Sequence, residues 1–478
     1  MSYCPYCKKK IELNWSFCHH CGKPFIVNLE KKSDRTIGTS TAKSQTMQSF
    51  IPENDSYDYN IIKDEEIENK INQIDNLLEQ KLGSGESIGK LLLEKASLYY
   101  KKKDFSMSSK VLENAINNFK EENDLINLAI SHNELGLIQE EQGFFEESIY
   151  HFEQSILNLK KLDKPHDLIL VYNNLANVYS LINDLEHSYE FYNKALNLAE
   201  QYNFISEEVK TYSNLVDVLF LLKNYDEAKK ILNRNLEYFR QTGDLYGIIV
   251  SLIKFGKLGY YLGAKFYKYS NKNLVDALDL ISLLKDKNYL SVKAQLKWEC
   301  YLYLGKINLL SNNYKEAEDY LLKSLEELRL YELGESLNEA KILKNLAKLY
   351  EIKGEYKNAI DYNFLSNEIY YKFGEEFKVA QLLRKIARIY LVNLKNESEA
   401  IKNYEKALEI FEDQNYFKES ADLLHRLGDI YVNKGIIEIA LSNWEKAKRY
   451  YADLLDEVNF NLMSEKIKSL DNSNSDSF

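Results

Sequence analysis

The sequence lacks the short signatures of catalysis. It contains no HExxH, no glycine-rich dinucleotide turn, no nucleophile elbow and no carboxylate pair in a distinctive setting. Its seven histidines are scattered, two near the N-terminus and five over the rest of the chain. An enzyme is not expected. The stretch from Gly83 to Lys90 has the look of a phosphate loop, but it lacks the first glycine of that motif, carries Leu91 in place of the hydroxyl residue and follows no strand. A run of some twenty apolar residues is missing, as is the charged-then-apolar opening of a secretory signal, so a cytoplasmic protein without a membrane segment is expected. Positive charge is short too. With 62 Lys and Arg against 73 Asp and Glu, a net charge of −11 gives no global field that would draw the molecule onto nucleic acid or anionic lipid. Cysteine is scarce at five residues, four of them in metal spacing; the fifth, Cys300, reads as a small buried hydrophobe.

What the chain does have is rhythm. From about residue 90 to 455 one pattern returns nine times, roughly every forty positions. A bulky residue precedes a small one, with a ring or long side chain three further on, as in Leu175, Ala176 and Tyr179. Another small residue follows about twelve positions later, then a large side chain and a third small residue, as in Ser188, Tyr192 and Ala195. The first small positions are Ala96, Gly136, Ala176, Val216, Gly256, Gly305, Ala347, Ala387 and Gly428. Residues three and four apart share a helix face, so each unit predicts two amphipathic helices. Gly143, Asn183, Asn312, Gly354 and Gly435, seven residues after the small position, accept the left-handed conformation that stops a helix. No such pair buries its apolar face alone, and stacking the pairs makes a solenoid. The fifth unit is irregular: Gly256, Gly259 and Gly263 share one face and nine extra residues follow. Close helix approach and a hinge both answer to this.

The pattern resembles the tetratricopeptide repeat (TPR) family in its forty-residue, kinesin-light-chain-like form, over about residues 88–455. The resemblance implies an all-α, right-handed superhelical array of helix-turn-helix repeats whose first helices line a concave groove for a protein or peptide. The residue after the small position commonly faces that groove in the family, which here gives Ser97, Leu137, Asn177, Asp217, Lys257, Lys306, Lys348, Arg388 and Asp429. Four consecutive repeats place a cation there. Lys341, Lys344 and Lys348, with Arg384 and Arg388, are spaced to converge on one wall that suits an acidic segment or a C-terminal carboxylate; the alternative is that they solvate exposed helix faces. This wall is similar to the carboxylate clamp of some chaperone-binding members, without its order of lysine and asparagine. Asn174, Asn214 and Asn345 stand two residues before the small position, suited either to a peptide backbone or to neighbouring helix ends.

The N-terminus is different in kind. Cys4-Pro5-Tyr6-Cys7 and Cys18-His19-His20-Cys21-Gly22 are two CxxC knuckles, and four thiolates at this spacing close a tetrahedral zinc shell with no open position for substrate. The segment, residues 1–26, resembles a short zinc ribbon, too small to fold without its ion. Residues 27–60 are polar and aperiodic, a predicted flexible linker. A capping helix is expected over 61–82, through Ile67, Ile71, Ile74 and Leu78, and another over 456–470, through Val458, Phe460, Leu462, Ile467 and Leu470, with 471–478 as a disordered tail. The function expected is that of a non-enzymatic interaction scaffold or adaptor, with the ribbon as a second contact. A regulator of transcription or translation, its ribbon touching nucleic acid through Lys8, Lys9, Lys10 and Lys23 and the rings of Tyr6, Trp15 and Phe17, is the alternative. The partner's identity and the oligomeric state stay open.

Overall fold

The computed structural model describes residues 2–3, 10–11, 64–81, 88–284, 290–331 and 335–475. Cys4, Cys7, Cys18 and Cys21 and the expected linker lie outside them. Of the expected ribbon, two short strands are described, β1 (Ser2–Tyr3) and β2 (Lys10–Ile11), antiparallel with Ser2 opposite Ile11 and Tyr3 opposite Lys10.

The rest is helical. Helix α1 (Asp64–Lys81) leads into nine pairs. They are α2 and α3 (Ile88–Lys101, Phe105–Glu122), α4 and α5 (Leu125–Gln142, Phe145–Lys161), and α6 and α7 (Pro165–Leu181, Leu185–Gln201). Next come α8 and α9 (Ile205–Leu221, Tyr225–Thr242), α10 and α11 (Leu245–Leu262, Tyr267–Leu283), and α12 and α13 (Leu290–Leu310, Tyr314–Tyr331). The last are α14 and α15 (Leu337–Ile352, Tyr356–Lys372), α16 and α17 (Glu376–Arg388, Glu397–Asp413), and α18 and α19 (Phe417–Asn433, Ile437–Asp453), before α20 (Glu457–Ser475). The described helices form two compact units, residues 64–307 and 308–475.

Local chemistry explains the punctuation. The stops at Gly143, Asn183, Asn312, Gly354 and Gly435 all take positive φ, between 61° and 83°. Lys103, Lys223 and Lys395 do the same without the help of glycine or asparagine. After the left-handed residue the chain folds back, so that the Asp184 amide donates to the Tyr179 carbonyl at 2.8 Å and the Asp124 amide to the Phe119 carbonyl at 2.9 Å. The same aspartates then start the next helix: Asp104, Asp124, Asp184 and Asp244 accept from the amides of Met107, Asn127, His187 and Gly247 at 3.0–3.2 Å. One residue ends a helix and its neighbour begins another.

The small residues do what their spacing predicts. A Cβ on Gly136 would meet the Phe152 ring at 2.9 Å, one on Gly256 would meet Leu274 at 2.4 Å, and one on Gly428 would meet the Trp444 indole at 2.3 Å. At the second small position a serine is buried with its hydroxyl donated to the carbonyl of the first: Ser108 to Ala96 at 2.8 Å, Ser148 to Gly136 at 2.7 Å, Ser188 to Ala176 at 2.8 Å. Each such bond contributes about 1 kcal/mol and locks the pair in register. In the fifth pair Gly256 and Gly259 lie against α11, the latter 2.8 Å from Ser270 once a Cβ is added, while Gly263 takes φ 92° and opens a short 3-10 turn, Ala264–Phe266. Close approach therefore accounts for two of the three glycines and a turn for the third.

The eighth pair departs from the rhythm. Its second small residue, Ala400, follows Ala387 by one position more than usual, and α16 runs directly into a π-helical stretch, Ile389–Asn393, in which the Leu394 amide donates to the Ile389 carbonyl at 3.1 Å. One widened turn absorbs the inserted residue.

Both end helices cap their stacks. Ile67, Ile71 and Ile74 of α1 pack on Leu98 of α2. On α20 the face is set by Met463 with Phe460, Ile467 and Leu470, against Trp444 and Tyr451. Val458 and Leu462 point outward instead, Val458 at 79% exposed, and the helix runs through Ser475, past the expected end at 470. Helix α10 is long and apolar enough to cross a membrane by composition alone, yet most of it is buried in its own unit. Cys300 is fully buried on α12, and burial pushes its thiol well up.

Candidate functional site

In the 64–307 unit the first helices of successive pairs touch one another, α2 on α4, α4 on α6, α6 on α8 and α8 on α10. Side chains one and two residues from the small position thus form rows that run from helix to helix. Asn174 donates its amide to Asn133 Oδ1 at 3.0 Å, and Asn177 accepts from the Tyr192 hydroxyl; both asparagines are buried. Asn214 is half-buried on α8. Further along, Lys254 Nζ lies 2.8 Å from Asp217 Oδ2, and Lys257 stands between Asp217, at 3.7 Å, and Glu299. Burial works against the charge on Lys257, but Glu299 and then Asp217 hold its pKa well above the ordinary lysine value. Burial likewise raises Asp217, and the two lysines outweigh it and hold the carboxyl below the usual range. Lys306 Nζ sits 4.5 Å from the centres of both the Tyr260 and Tyr303 rings. Of the cations expected to make a continuous wall, Lys257 is therefore neutralised within the chain and Lys306 is covered by tyrosines.

The 308–475 unit keeps its positive charge. Helices α14 and α16 carry seven cations and three acids. Glu339 is taken by Arg329 and Glu376 accepts from the Gln414 amide, which leaves Glu351. Arg388 Nη2 donates to Glu351 Oε1, and Lys385 Nζ approaches Oε2 at 3.5 Å. Lys344 is held below the ordinary lysine value by burial and by Lys378, and Lys385 by burial together with Lys344 and Arg388, in spite of Glu351. Lys348 is exposed one turn before Glu351. The five expected cations do not all converge: Arg384 leans over the Phe411 ring at 6.0 Å, and Lys341 reaches Asn338 at 3.3 Å on its own helix. Asn345 donates back to the Lys341 carbonyl at 2.7 Å, a local bond.

Sequence reasoning missed Glu351, Lys385 and Lys254. The signal was there for the lysines, since Lys254 and Lys385 occupy the same place two residues before the small position as Asn174, Asn214 and Asn345. Among the described residues no group of three or more His, Cys, Asp or Glu is placed to hold a metal. The notable titratable pair lies elsewhere, between α4 and α5, where His132 Nδ1 and His151 Nδ1 are 2.8 Å apart. Burial, then the neighbouring imidazole, lowers His132 to about 3, and burial with Lys120 lowers His151 to about 4, so both are neutral at pH 7 and one donates to the other.

Comparison with known proteins agrees with this architecture. The tetratricopeptide repeat model matches residues 127–201, and the model of soluble NSF attachment protein, SNAP, matches residues 391–477. No curated protein matches the chain in sequence. Among solved structures, a signal transduction ATPase with numerous domains from Pyrococcus horikoshii, bearing a tetratricopeptide repeat sensor, is 16% identical with a TM-score of 0.49, over 74% of this chain and 55% of that one. The chain spans about half the length of that protein. The apo quorum sensor NprR from B. thuringiensis is 17% identical with a TM-score of 0.49, over 82% of this chain and 99% of that one. NprR in complex with its cognate peptide NprX is 18% identical with a TM-score of 0.46, over 82% and 98%. From its own helix pairs and the repeat match within them, the chain is an all-helical repeat solenoid that carries tetratricopeptide repeats.

Proposed function

We propose that this protein is a non-enzymatic interaction scaffold of the forty-residue, kinesin-light-chain-like kind, which holds a protein or peptide segment on the wall made by its first helices. The observation that carries the reading is the group of Lys344, Lys385 and Arg388 about the single carboxylate of Glu351, with Lys348 exposed beside it. Cations gathered on one face of a protein of net charge −11 favour an acidic segment or a chain-terminal carboxylate, which arginine grips through parallel hydrogen bonds. The Asn174 and Asn177 row of the other unit adds amide groups suited to a peptide backbone, once released from Asn133 and Tyr192.

A zinc ribbon at the N-terminus would serve as a second contact, held by Cys4, Cys7, Cys18 and Cys21. The pairing of Ser2 with Ile11 and Tyr3 with Lys10 supports it, because a hairpin that brackets the first CxxC gives that knuckle a fixed base. Four thiolates fill a zinc shell, so the ion would hold structure rather than catalyse. The test of the scaffold is the pair Lys348→Glu and Arg388→Glu in the full chain. Capture of an acidic peptide is expected to fall about tenfold or more while the thermal midpoint holds; undiminished capture overturns the reading.

A further inference from the structure

The only acid of α14 and α16 that faces the cation group belongs to the protein itself. Lys341, Lys344, Lys348 and Glu351 recur three, four and three residues apart, so they share one face of α14, with the acid at its end. The two oxygens of Glu351 engage different cations, Oε1 taking Arg388 and Oε2 lying nearest Lys385. A ligand carboxylate seated here needs these same donors, because the guanidinium fork and the ammonium are what the face offers. We propose that Glu351 is an internal competitor, which occupies the place of a ligand carboxylate between Lys385 and Arg388 and sets how tightly an acidic partner is held.

The inference rests on the acidic-peptide reading of this wall and adds to it a residue that limits affinity. An acidic segment must part Arg388 from Glu351 or bind beside a negative charge, and either way the acid weakens it. Half-exposed ion pairs of this kind are modest, so the expected gain on removing the acid is roughly three- to tenfold, shrinking as salt screens the face. Ordinary scaffolding gives the opposite result, since loss of an ion pair that merely props two helices lowers stability and improves nothing.

The experiment uses the full chain and fluorescein-labelled hexaglutamate, read by anisotropy at low salt, with hexalysine as the control peptide. Glu351→Gln keeps the side chain's length and removes its charge, and is expected to bind hexaglutamate three- to tenfold more tightly. Arg388→Ala is expected to bind it more weakly, and the double variant to lose the gain. Circular dichroism melts establish that each variant is folded, with Glu351→Ala as the substitute if glutamine disturbs the helix. If the natural protein binds hexaglutamate and both Glu351 variants bind it equally or less well, the competitor role fails and the wall stands. If no variant binds hexaglutamate above hexalysine, the acidic-peptide reading fails, and this inference with it.

Discussion

Replacing Gly428 by alanine tests the packing rule on which the array is built. In an isolated helix the change is favourable by about 1 kcal/mol, because alanine loses less backbone freedom than glycine. Here the new methyl would lie 2.3 Å from both Cδ1 and Nε1 of Trp444, a distance no carbon tolerates. The indole has little room to retreat. It is 4% exposed and its Nε1 donates to the His425 carbonyl at 3.2 Å and to Asp429 Oδ1 at 3.1 Å. Overpacking of this kind costs about 1–3 kcal/mol. A displaced indole gives up a further 1 kcal/mol or so of hydrogen bonding. Set against the helix gain, Gly428→Ala is expected to destabilise the 308–475 unit by about 1–3 kcal/mol. Urea titration followed by tryptophan fluorescence and circular dichroism reads the loss as a lower midpoint. Repeats that carry alanine at this place set tyrosine opposite, Tyr192 to Ala176 and Tyr404 to Ala387. Gly428→Ala combined with Trp444→Tyr should therefore recover part of the loss. A single variant as stable as the natural protein would refute the argument that a side chain needs the space glycine leaves.

Acid should weaken the 64–307 unit through its histidine pair. His132 falls from 6.5 in the unfolded chain to about 3 when folded, so the unfolded state binds the extra proton. The stability this neutral imidazole permits is whole above pH 6.5 and is lost as pH falls toward 3, about 2 kcal/mol of it by pH 5. His132→Gln is expected to flatten the fall in thermal midpoint between pH 6.5 and 4.5, and an unchanged slope would remove the pair from the explanation. Purified full-length protein is expected to carry stoichiometric zinc, released by mercury titration of the four clustered thiols and measured with a colorimetric dye. Its helical melt should not change on release, whereas zinc-free protein with disulfides among Cys4, Cys7, Cys18 and Cys21 would rule the ribbon out.

The repeat was legible because its causes are local. Spacing of small and large residues reports which helix faces meet, and Gly143, Asn183 or Gly435 announce where a helix must stop. The capping helices were visible for the same reason, although Val458 and Leu462 were assigned inward when Met463 takes that place. Charge was harder to read. Lys257 looked available by its position in the repeat, but its partners Asp217 and Glu299 lie some forty residues away on either side, a relation no local pattern records. Arg388 and Glu351 are the same case. A side chain's register states which face it occupies, while its freedom depends on what the next pair brings to that face.

The widened turn at Ile389–Asn393 has a consequence for how such a protein changes over generations. A surplus residue between two stacked modules would ordinarily rotate everything downstream by about 100° and turn buried faces to water. Here the helix swallows the surplus within one loop of its own winding, and Ala400 and Tyr404 still arrive buried. A lineage built this way can gain a single codon and keep its old interior, with the novelty confined to a bulge that later selection is free to use.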